Sequence, residues 1–540
     1  MSRFLAALLV LSAFCSCGKD NTEPNIIVRP KDPKEKMASN LKNYLEKDYP
    51  SKVTSVEVTS GNVIIKGSCG GSGTYILADI TPWQDVTEME TFPYTENISG
   101  RDFTVSVDRI ASREGIRYDR VFSKWAIVKV DGDRQTLDSH ARYADEVAPK
   151  ATSAALALKN KKGFGAGNLD LYFQDCADMN VGSITMNVPL SAYLTGEGSG
   201  YSYGGKSYNL GSMRINVDRI TSRASEMGIM VSAIILCPSN SIFKDPENDG
   251  GNYSMPNITT AAAFNLYAAA LDHMASTHCT ADKKISHWIM HNEVDFAEEW
   301  TNMGSQPMLR YLDRYIKSMR ICYNIVRQYD QNASVLGSYT HNWTNADGDY
   351  APKEMLEKTV EYSNVEGDFR WGVAYHPYPQ DLTKPAFWIN DTQATYSMKS
   401  KYVTFRNLEV IDAWIKRKDN LYKGTTKRLL FLSEQGTNSP SYSESNLALQ
   451  AAGGAWAWKK VSKLDGIDAI QWHNWADNKA EGGLRIGLRT FEEGDVQNLT
   501  PKPVWYVWKA AGTAEEDSVF DQYKSTLGIT DWDSIFKTVE

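Results

Sequence analysis

Two short apolar stretches in the second half of the chain each end in polar residues. The first covers residues 285–290 and runs into Asn292 and Glu293. The second covers residues 429–432 and runs into Glu434. Apolar runs of this length are typical of buried β-strands. Each of these two strands is therefore predicted to deliver a glutamate at its C-terminal end.

Strands and helices are predicted to alternate from Lys162 to the C-terminus. The apolar runs predict eight strands, which cover residues 163–165, 182–188, 229–236, 285–290, 333–339, 371–376, 428–433 and 467–472. The segments between them carry apolar residues at helical spacing. Eight alternating units over about 350 residues match a (β/α)8 TIM barrel with enlarged loops. Ser441 followed by Glu444 is a capping-box pattern, which predicts that the helix before the last strand begins at Ser441.

The region before the barrel has a different pattern, in which apolar and polar residues alternate. Five short runs of this kind are separated by turns rich in Gly and Ser; they cover residues 53–58, 62–67, 74–80, 103–108 and 125–130. This spacing predicts a small antiparallel β-sandwich over residues 53–150. The fold class is therefore α/β, with this sandwich preceding a barrel that occupies residues 160–540. Trp125 is interpreted as a core residue of the sandwich rather than as a sugar-stacking face.

The N-terminus has the features of an export signal. Arg3 precedes an apolar run that is too short to span a membrane as a stable helix. The residues that follow resemble a bacterial lipoprotein signal, with residues 1–17 as the signal peptide and Cys17 as the lipidated residue. Residues 18–52 are predicted to form a tether and a short helix. We therefore expect an outer membrane lipoprotein at the cell surface or periplasmic face; ordinary secretion with a free Cys17 is the alternative.

Charge and cysteine content restrict the partners of the protein. The formal net charge is -8, and the chain contains no run of Lys and Arg, which argues against a nucleic-acid partner. A neutral, hydroxyl-rich substrate fits this charge better. Beyond the signal, no cysteine spacing is typical of a metal site. Those cysteines are Cys69, Cys176, Cys237, Cys279 and Cys322. Cys176, Cys237 and Cys322 lie in apolar periodic segments and are interpreted as small buried hydrophobic residues, and a disulfide is left open.

The C-terminal strand ends of a parallel barrel meet on one face, so Glu293 and Glu434 are expected to face each other across a substrate. Glycoside hydrolysis needs such a pair, because one carboxyl group protonates the leaving oxygen and the other attacks the anomeric carbon. Other polar and aromatic residues follow the fifth, sixth and eighth strands. They are His341, Asn342, Trp343, His376, Tyr378, Trp472, His473 and Trp475.

Four motifs make the assignment more specific: HNEVD, WGVAYHPYP, FLSEQG and EGGL, in this order along the chain. Together they resemble the superfamily of retaining (β/α)8 glycoside hydrolases, the four-seven clan, and also a family of glycosidases from gut Bacteroidetes. The resemblance covers residues 162–511. It implies that Glu293 is the general acid/base and that Glu434 is the nucleophile. It also implies an equatorially linked oligosaccharide or polysaccharide substrate, no cofactor and no metal.

The resemblance implies roles for several neighbouring residues as well. Asn292 would hold the sugar 2-hydroxyl, and Tyr378 or Tyr375 would donate a hydrogen bond to Glu434. Trp472 would stack under the sugar ring. The other expected substrate contacts are His291, His341, Trp343, His376 and His473. Many clan members carry an arginine after the second strand, and this chain has none there, so the support of the nucleophile is left open.

Two other functions compete with a glycosidase. The first is a metal-dependent TIM-barrel hydrolase, because histidines follow several of the strands: His291, His341, His376 and His473. Against it, the first strand lacks a His-x-His motif, and the close ligand spacing of a three-ligand zinc site is absent. The second is a non-catalytic, glycan-binding surface lipoprotein.

The glycosidase hypothesis predicts a distance. A retaining enzyme would hold the carboxyl groups of Glu293 and Glu434 about 5 to 5.5 Å apart.

Overall fold

The computed structural model describes residues 32–491 and 499–540. The predicted signal peptide, the lipidation site at Cys17 and the first part of the tether lie outside the described residues. The predicted short helix is present as Pro33–Glu46, and it begins after Asp32, whose side chain accepts a hydrogen bond from the backbone of Lys34. Among the described helices, none has the length and hydropathy needed to cross a membrane.

The N-terminal region contains two four-stranded sheets. In spatial order, the first consists of Glu146–Val147, Lys52–Val58, Asn62–Ser68 and Asp102–Asp108. The second consists of Thr95–Asn97, Thr74–Ile80, Lys124–Asp131 and Arg134–Leu137. A small hairpin, Ile110–Arg113 with Ile116–Asp119, follows the first sheet. All five predicted strands are present. The pairing is antiparallel apart from Glu146–Val147, which runs parallel to its neighbour. Trp125 is fully buried, as expected of a core residue.

The second region is a closed parallel barrel of eight strands, as predicted. The strands are β1 (Lys162–Gly165), β2 (Ser183–Pro189), β3 (Met230–Leu236), β4 (His287–Met290), β5 (Ser334–Tyr339), β6 (Trp371–Tyr375), β7 (Leu430–Gln435) and β8 (Ala469–Trp472). Parallel pairing of β1 with β8 closes the ring. Every residue of β3 is buried, because the barrel interior covers one face of the strand and the outer helices cover the other.

Helices surround the barrel and fill its connections. The α-helices are Asp170–Asp178, Arg214–Glu226, Ala261–His278, Ala297–Trp300, Met308–Tyr329, Pro352–Glu366, Phe387–Asn390, Glu409–Ile415, Glu444–Lys463, Pro503–Ala510, Glu516–Phe520 and Lys524–Leu527. Short 3-10 helices are Arg120–Phe122, Leu190–Ala192, Lys418–Asn420, Asp521–Tyr523 and Trp532–Ile535. A hairpin, Leu194–Tyr203 with Lys206–Leu210, follows β2.

One predicted helix start is wrong by two residues. The helix before β8 is capped by Ser443, whose hydroxyl accepts from the backbone N–H of Asn446, and not by Ser441. Ser441 instead accepts from the backbone N–H of Ser443 at 3.2 Å. The run of serines offers several possible caps, and the sequence pattern selected the wrong one.

The long helix Met308–Tyr329 lies between the two regions. Asn324 donates a hydrogen bond of 2.9 Å to the carbonyl of Val121 in the N-terminal region. Lys317 forms an ion pair of 2.5 Å with Asp85. Because this helix packs against the barrel on one side and the N-terminal region on the other, most of its residues are buried. The five cysteines in the described residues are buried free thiols.

Candidate active site

Glu293 stands at the top of the barrel, three residues beyond the end of β4. Its backbone adopts a φ of 35°, in the left-handed region that residues other than glycine and asparagine rarely occupy. The backbone N–H of Glu293 donates to Ser338 Oγ of β5 at 3.1 Å, which fixes this turn. Such conformations concentrate at functional sites.

The Glu293 carboxyl group is held by His376, which comes directly after β6. A hydrogen bond of 2.8 Å joins His376 Nδ1 to Glu293 Oε1. The other ring nitrogen, Nε2, lies 3.0 Å from Ser433 Oγ and 3.4 Å from Ser338 Oγ. Three neighbouring strands thus fix the imidazole, and the imidazole fixes the orientation of Glu293.

Glu434 lies in β7, on the other side of the site. The hydroxyl of Tyr378 donates to Glu434 Oε1 at 3.1 Å. His473 Nδ1 lies 3.8 Å from the same oxygen, and its Nε2 lies 3.4 Å from Glu481 Oε1. One carboxylate oxygen each of Glu293 and Glu434, together with a ring nitrogen of His376, lie within 4.8 Å of one another.

The two glutamates have different electrostatic surroundings. Burial raises the pKa of Glu293 to about 7, although His473 opposes that rise. Burial also lowers the pKa of His376 to about 4, so this imidazole is neutral at pH 7. For His473, burial favours the neutral form, but the carboxylates of Glu434, Glu481 and Glu293 outweigh it and raise its pKa above the usual value. The raised pKa of His473 favours its cationic form beside Glu434, whereas the His376 imidazole beside Glu293 is neutral.

Two cavities meet at Glu434. We call the first the aromatic cavity; it measures about 410 Å³, and its walls include Phe296, Trp300 and Tyr402. We call the second the glycine cavity; it measures about 400 Å³ and is lined by Gly165, Gly167, Thr185, Asn187, Asn474 and Ala476, among others. Glu434 lines both cavities, whereas Glu293 lines only the aromatic cavity.

Several predicted site residues are brought together here. Glu293, Glu434, His341 and Tyr378 line the aromatic cavity, and His473 lines the glycine cavity. Of the two tyrosines considered as donors to Glu434, Tyr378 is the donor, because the hydroxyl of Tyr375 donates to the carbonyl of Asn342. Asn292 is buried next to Glu293, and within the described residues its Oδ1 has no hydrogen-bond partner.

The structure corrects three predicted substrate contacts. Trp343 is fully buried, and its ring N–H donates to the carbonyl of Met398. Trp472 is also fully buried and donates to the carbonyl of Ile486, so it offers no face to a sugar. His291 is turned away from the cavity. Its Nδ1 lies 2.7 Å from the carbonyl oxygen of Ile235, and its Nε2 lies 3.3 Å from Ser318 Oγ of the long helix.

His376 also has a role different from the predicted one. It is fully buried and lines neither cavity, so it contacts Glu293 rather than a substrate.

Two residues of the site were not among the predicted ones: Ser433, which binds His376, and Glu481, which binds His473. Glu481 belongs to the EGGL motif, and its place in that motif could have marked it as a site residue. The reasoning also missed Asp295, which burial brings to a pKa of about 7 and which accepts from the backbone of Thr340.

A cation site would have to use the same groups. Glu293, His376 and Glu434 form the candidate ligand cluster in the described part of the chain. Both ring nitrogens of His376 already have partners, Glu293 and Ser433, and a cation would have to displace one of them. The four histidines of the predicted metal alternative do not converge, because His291 faces the helix layer.

Residues 155–535 match the model of a family described as Family of unknown function (DUF5722). The comparison with curated proteins gives no match. Among solved structures, a family 39 glycoside hydrolase from Bacteroides cellulosilyticus WH2 is 12% identical with a TM-score of 0.45, over 86% of this chain and 83% of that one. Xylanase 10B from Thermotoga maritima is 17% identical with a TM-score of 0.39, over 67% and 95%.

A beta-glucuronidase from Bacteroides uniformis is 12% identical, with a TM-score of 0.38, over 85% of this chain. This chain spans 49% of the length of that enzyme. At these identities and TM-scores, no role of a residue in this chain follows from the neighbours.

Proposed function

The chain belongs to the family of unknown function DUF5722, and from the geometry of its site we propose that it is a retaining glycoside hydrolase that works through Glu293 and Glu434. The observation that carries this proposal is the approach of the two carboxyl groups, whose nearest oxygens lie within 4.8 Å. A retaining site holds its carboxyl groups about 5 to 5.5 Å apart, whereas an inverting site spaces them by about 6.5 to 9.5 Å to admit a water.

The first chemical step forms a glycosyl-enzyme. A Glu434 oxygen bonds to the anomeric carbon while the bond from that carbon to the glycosidic oxygen breaks, and the proton of Glu293 passes to the departing oxygen. In the second step, Glu293 takes a proton from water, and the water oxygen displaces Glu434 from the anomeric carbon. Glu293 must therefore begin protonated and Glu434 must begin ionised.

The surroundings of each glutamate support these two states. Burial beside a neutral imidazole favours the protonated form of Glu293 and brings its pKa to about 7. Tyr378 donates a hydrogen bond to Glu434 Oε1, and His473 Nδ1 lies 3.8 Å from the same oxygen. Asn292 Oδ1 is buried without a hydrogen-bond partner in the described part of the chain, but Asn292 lines neither cavity, so no contact with a sugar hydroxyl is assigned to it.

The walls of the site favour an uncharged glycan as the substrate. The aromatic cavity is lined by four acidic side chains, which are Glu293, Asp347, Glu434 and Glu481. Neither lysine nor arginine is among the described residues that line the two cavities. In the aromatic cavity, a sugar carboxylate or sulfate would lose its hydration without gaining a cationic partner.

The proposal is tested by assaying the purified protein on aryl glycosides of neutral sugars, on aryl uronides and on plant, algal and host polysaccharides. We expect turnover of neutral glycosides with the anomeric configuration retained in the first product, as followed by proton NMR. We expect no turnover of uronides. An inverted first product would contradict the two-step mechanism, and binding without release of reducing sugar would favour the glycan-binding alternative.

The metal-dependent alternative has its own discriminating experiment. Metal analysis and assays with and without a chelator should show that turnover does not depend on a bound cation. Loss of turnover on chelation, restored by one divalent metal, would assign the Glu293, His376 and Glu434 cluster to metal chemistry instead.

We also propose, from the N-terminal sequence alone, that Cys17 anchors the protein to the bacterial outer membrane, at the cell surface or periplasmic face.

His473 Nδ1 lies 3.8 Å from Glu434 Oε1, and the raised pKa of His473 favours its cationic form. In His473→Gln, the side chain can still donate a hydrogen bond but carries no charge. We expect kcat/KM to fall by about tenfold or more, because a charge close to the Glu434 carboxylate is lost. The measurement is kcat/KM from pH 3 to 9.

His140→Gln is the matched control, since His140 lies in the N-terminal region and contacts the carbonyl of Tyr44. A kcat/KM of His473→Gln that equals the wild-type value at every pH would show that the charge of His473 does not contribute to the reaction.

A further inference from the structure

The two glutamates are placed asymmetrically between the cavities. Glu293 lines only the aromatic cavity, whereas Glu434 lines both. In the proposed reaction, Glu293 gives its proton to the glycosidic oxygen, which leaves with the departing part of the substrate. The departing part must therefore lie on the aromatic side. The sugar that becomes bonded to Glu434 can extend into the glycine cavity.

The aromatic cavity contains a braced aromatic ring. Trp300 stacks on Tyr253 with ring centroids 5.9 Å apart and an angle of 24° between the planes. The backbone N–H groups of Asn252 and Tyr253 donate to the carbonyl of Glu299, at 3.0 and 3.2 Å. The loop after β3 thus holds the short helix Ala297–Trp300 after β4. Trp300 is a ring that is fixed before any ligand arrives.

A second large apolar side chain, that of Phe296, lines the aromatic cavity and is partly exposed to solvent. Phe296 is 37% exposed although it is aromatic. It belongs to the same turn as Trp300, whose backbone N–H donates to the carbonyl of Phe296 at 3.1 Å. Exposed apolar surface next to a cavity marks a place where a ligand can remove it from water.

The rest of the lining supplies polar groups at fixed positions. The hydroxyl of Tyr402 donates to Asp347 at 2.7 Å and accepts from Asn345 at 3.0 Å. Asn342 and Gln380 also line the cavity. An apolar wall beside such polar groups matches the two kinds of surface of a pyranose, which are its C–H face and its hydroxyl rim.

We propose that the aromatic cavity is a binding subsite for an uncharged pyranose ring in the departing part of the substrate, stacked on Trp300. This inference rests on the proposed glycosidase function and adds a substrate class to it: the enzyme cleaves between two sugars and uses binding energy from the departing sugar. Remote binding energy of this kind raises the rate at the reacting centre.

The test compares two substrates that share the same glycone. One carries a sugar as the leaving group, and the other is the glycosyl fluoride. Trp300→Ala should lower kcat/KM on the sugar-linked substrate by at least about tenfold, because an aromatic stacking partner is lost. On the fluoride, kcat/KM should stay within about twofold of the wild type. Trp300→Phe keeps a stacking ring and should recover most of the loss.

Tyr506→Ala is the matched control, because Tyr506 is an exposed aromatic residue that lines neither cavity. Equal losses on both substrates, or no loss on the sugar-linked one, would overturn the subsite. A wild type that cleaves the fluoride but not the sugar-linked substrate would overturn it as well. A wild type that cleaves neither substrate would instead overturn the proposed glycosidase function on which the inference depends.

Discussion

Glu434→Ala is expected to lower kcat by at least about four orders of magnitude on every substrate that the wild type cleaves. The reason is that Glu434 forms the bond to the anomeric carbon in the proposed mechanism, and Glu293, the acid within 4.8 Å of it, must donate a proton. The side chain of Glu434 is only partly buried and lines two cavities, so its removal should leave the fold intact. The measurements are kcat and the midpoint of thermal unfolding.

An added nucleophile makes the Glu434→Ala experiment more specific. Azide can enter the space that the carboxylate leaves and attack the anomeric carbon from the same side. The expected product from an activated substrate is a glycosyl azide with inverted configuration. Glu357→Ala, on the outer helix Pro352–Glu366, is the control and should behave as wild type. Substantial turnover by Glu434→Ala without azide would refute the assignment of the nucleophile.

Glu293→Ala is expected to have an effect that depends on the leaving group. On sugar-linked substrates, which need protonation of the departing oxygen, we expect kcat/KM to fall by about 10² to 10⁴. On substrates with very good leaving groups, most of the first-step rate should remain. The measurement is kcat/KM against the pKa of the leaving group for a series of aryl glycosides, whose slope should become steeper in the variant.

The pH profile gives a second measurement on Glu293. Burial raises its pKa to about 7, so the protonated form predominates below pH 7 and is lost above it. For the wild type, kcat/KM should therefore fall by about tenfold per unit as the pH rises beyond 7. This basic limb should be absent from Glu293→Ala on a good leaving group. A basic limb that persists would point to another acid, such as the buried Asp295.

The barrel could be predicted because parallel strands leave a strong signal in a sequence. Strands covered on both faces become continuous apolar runs, as in β3 and β7, and the turn residues between them mark each repeat. The ends of the predicted strands were less accurate than their positions along the chain. The predicted strand begins at Ile285, two residues before β4; Ile285 and Ser286 are buried, and the backbone of Ser286 bonds to Val231 and Ser334, but the regular strand begins only at His287. The strand pattern therefore locates an element better than its boundary.

The candidate site was predictable only in part. Glu293 and Glu434 were found because strand ends of a parallel barrel meet on one face, a property of the topology alone. The direction of a side chain is not fixed by its residue type. Trp472 is the last residue of β8, and its ring packs against Trp508 of the helix Pro503–Ala510, whereas His473, one position later, points into the site. Successive side chains along a strand point in opposite directions, so two adjacent residues can have different roles.

Contacts made by loops carried still less signal. Glu481 reaches His473 from a loop beyond β8, and Trp300 is braced by Tyr253 from a different loop. Neither segment has a period that predicts its course. These partners depend on long-range packing, and the structure was needed to find them.

The long helix Met308–Tyr329 has a consequence for how the family is delimited. Residues 155–535 define the match to DUF5722, yet this helix is covered on one side by residues that precede that stretch. A border drawn by sequence similarity here is not a border between independently folding pieces. Removal of the first 154 residues would take Asp85 from Lys317 and the Val121 carbonyl from Asn324, and it would expose one side of this helix to solvent. We therefore expect shortened versions of the protein to fold only when the N-terminal region stays attached to the barrel.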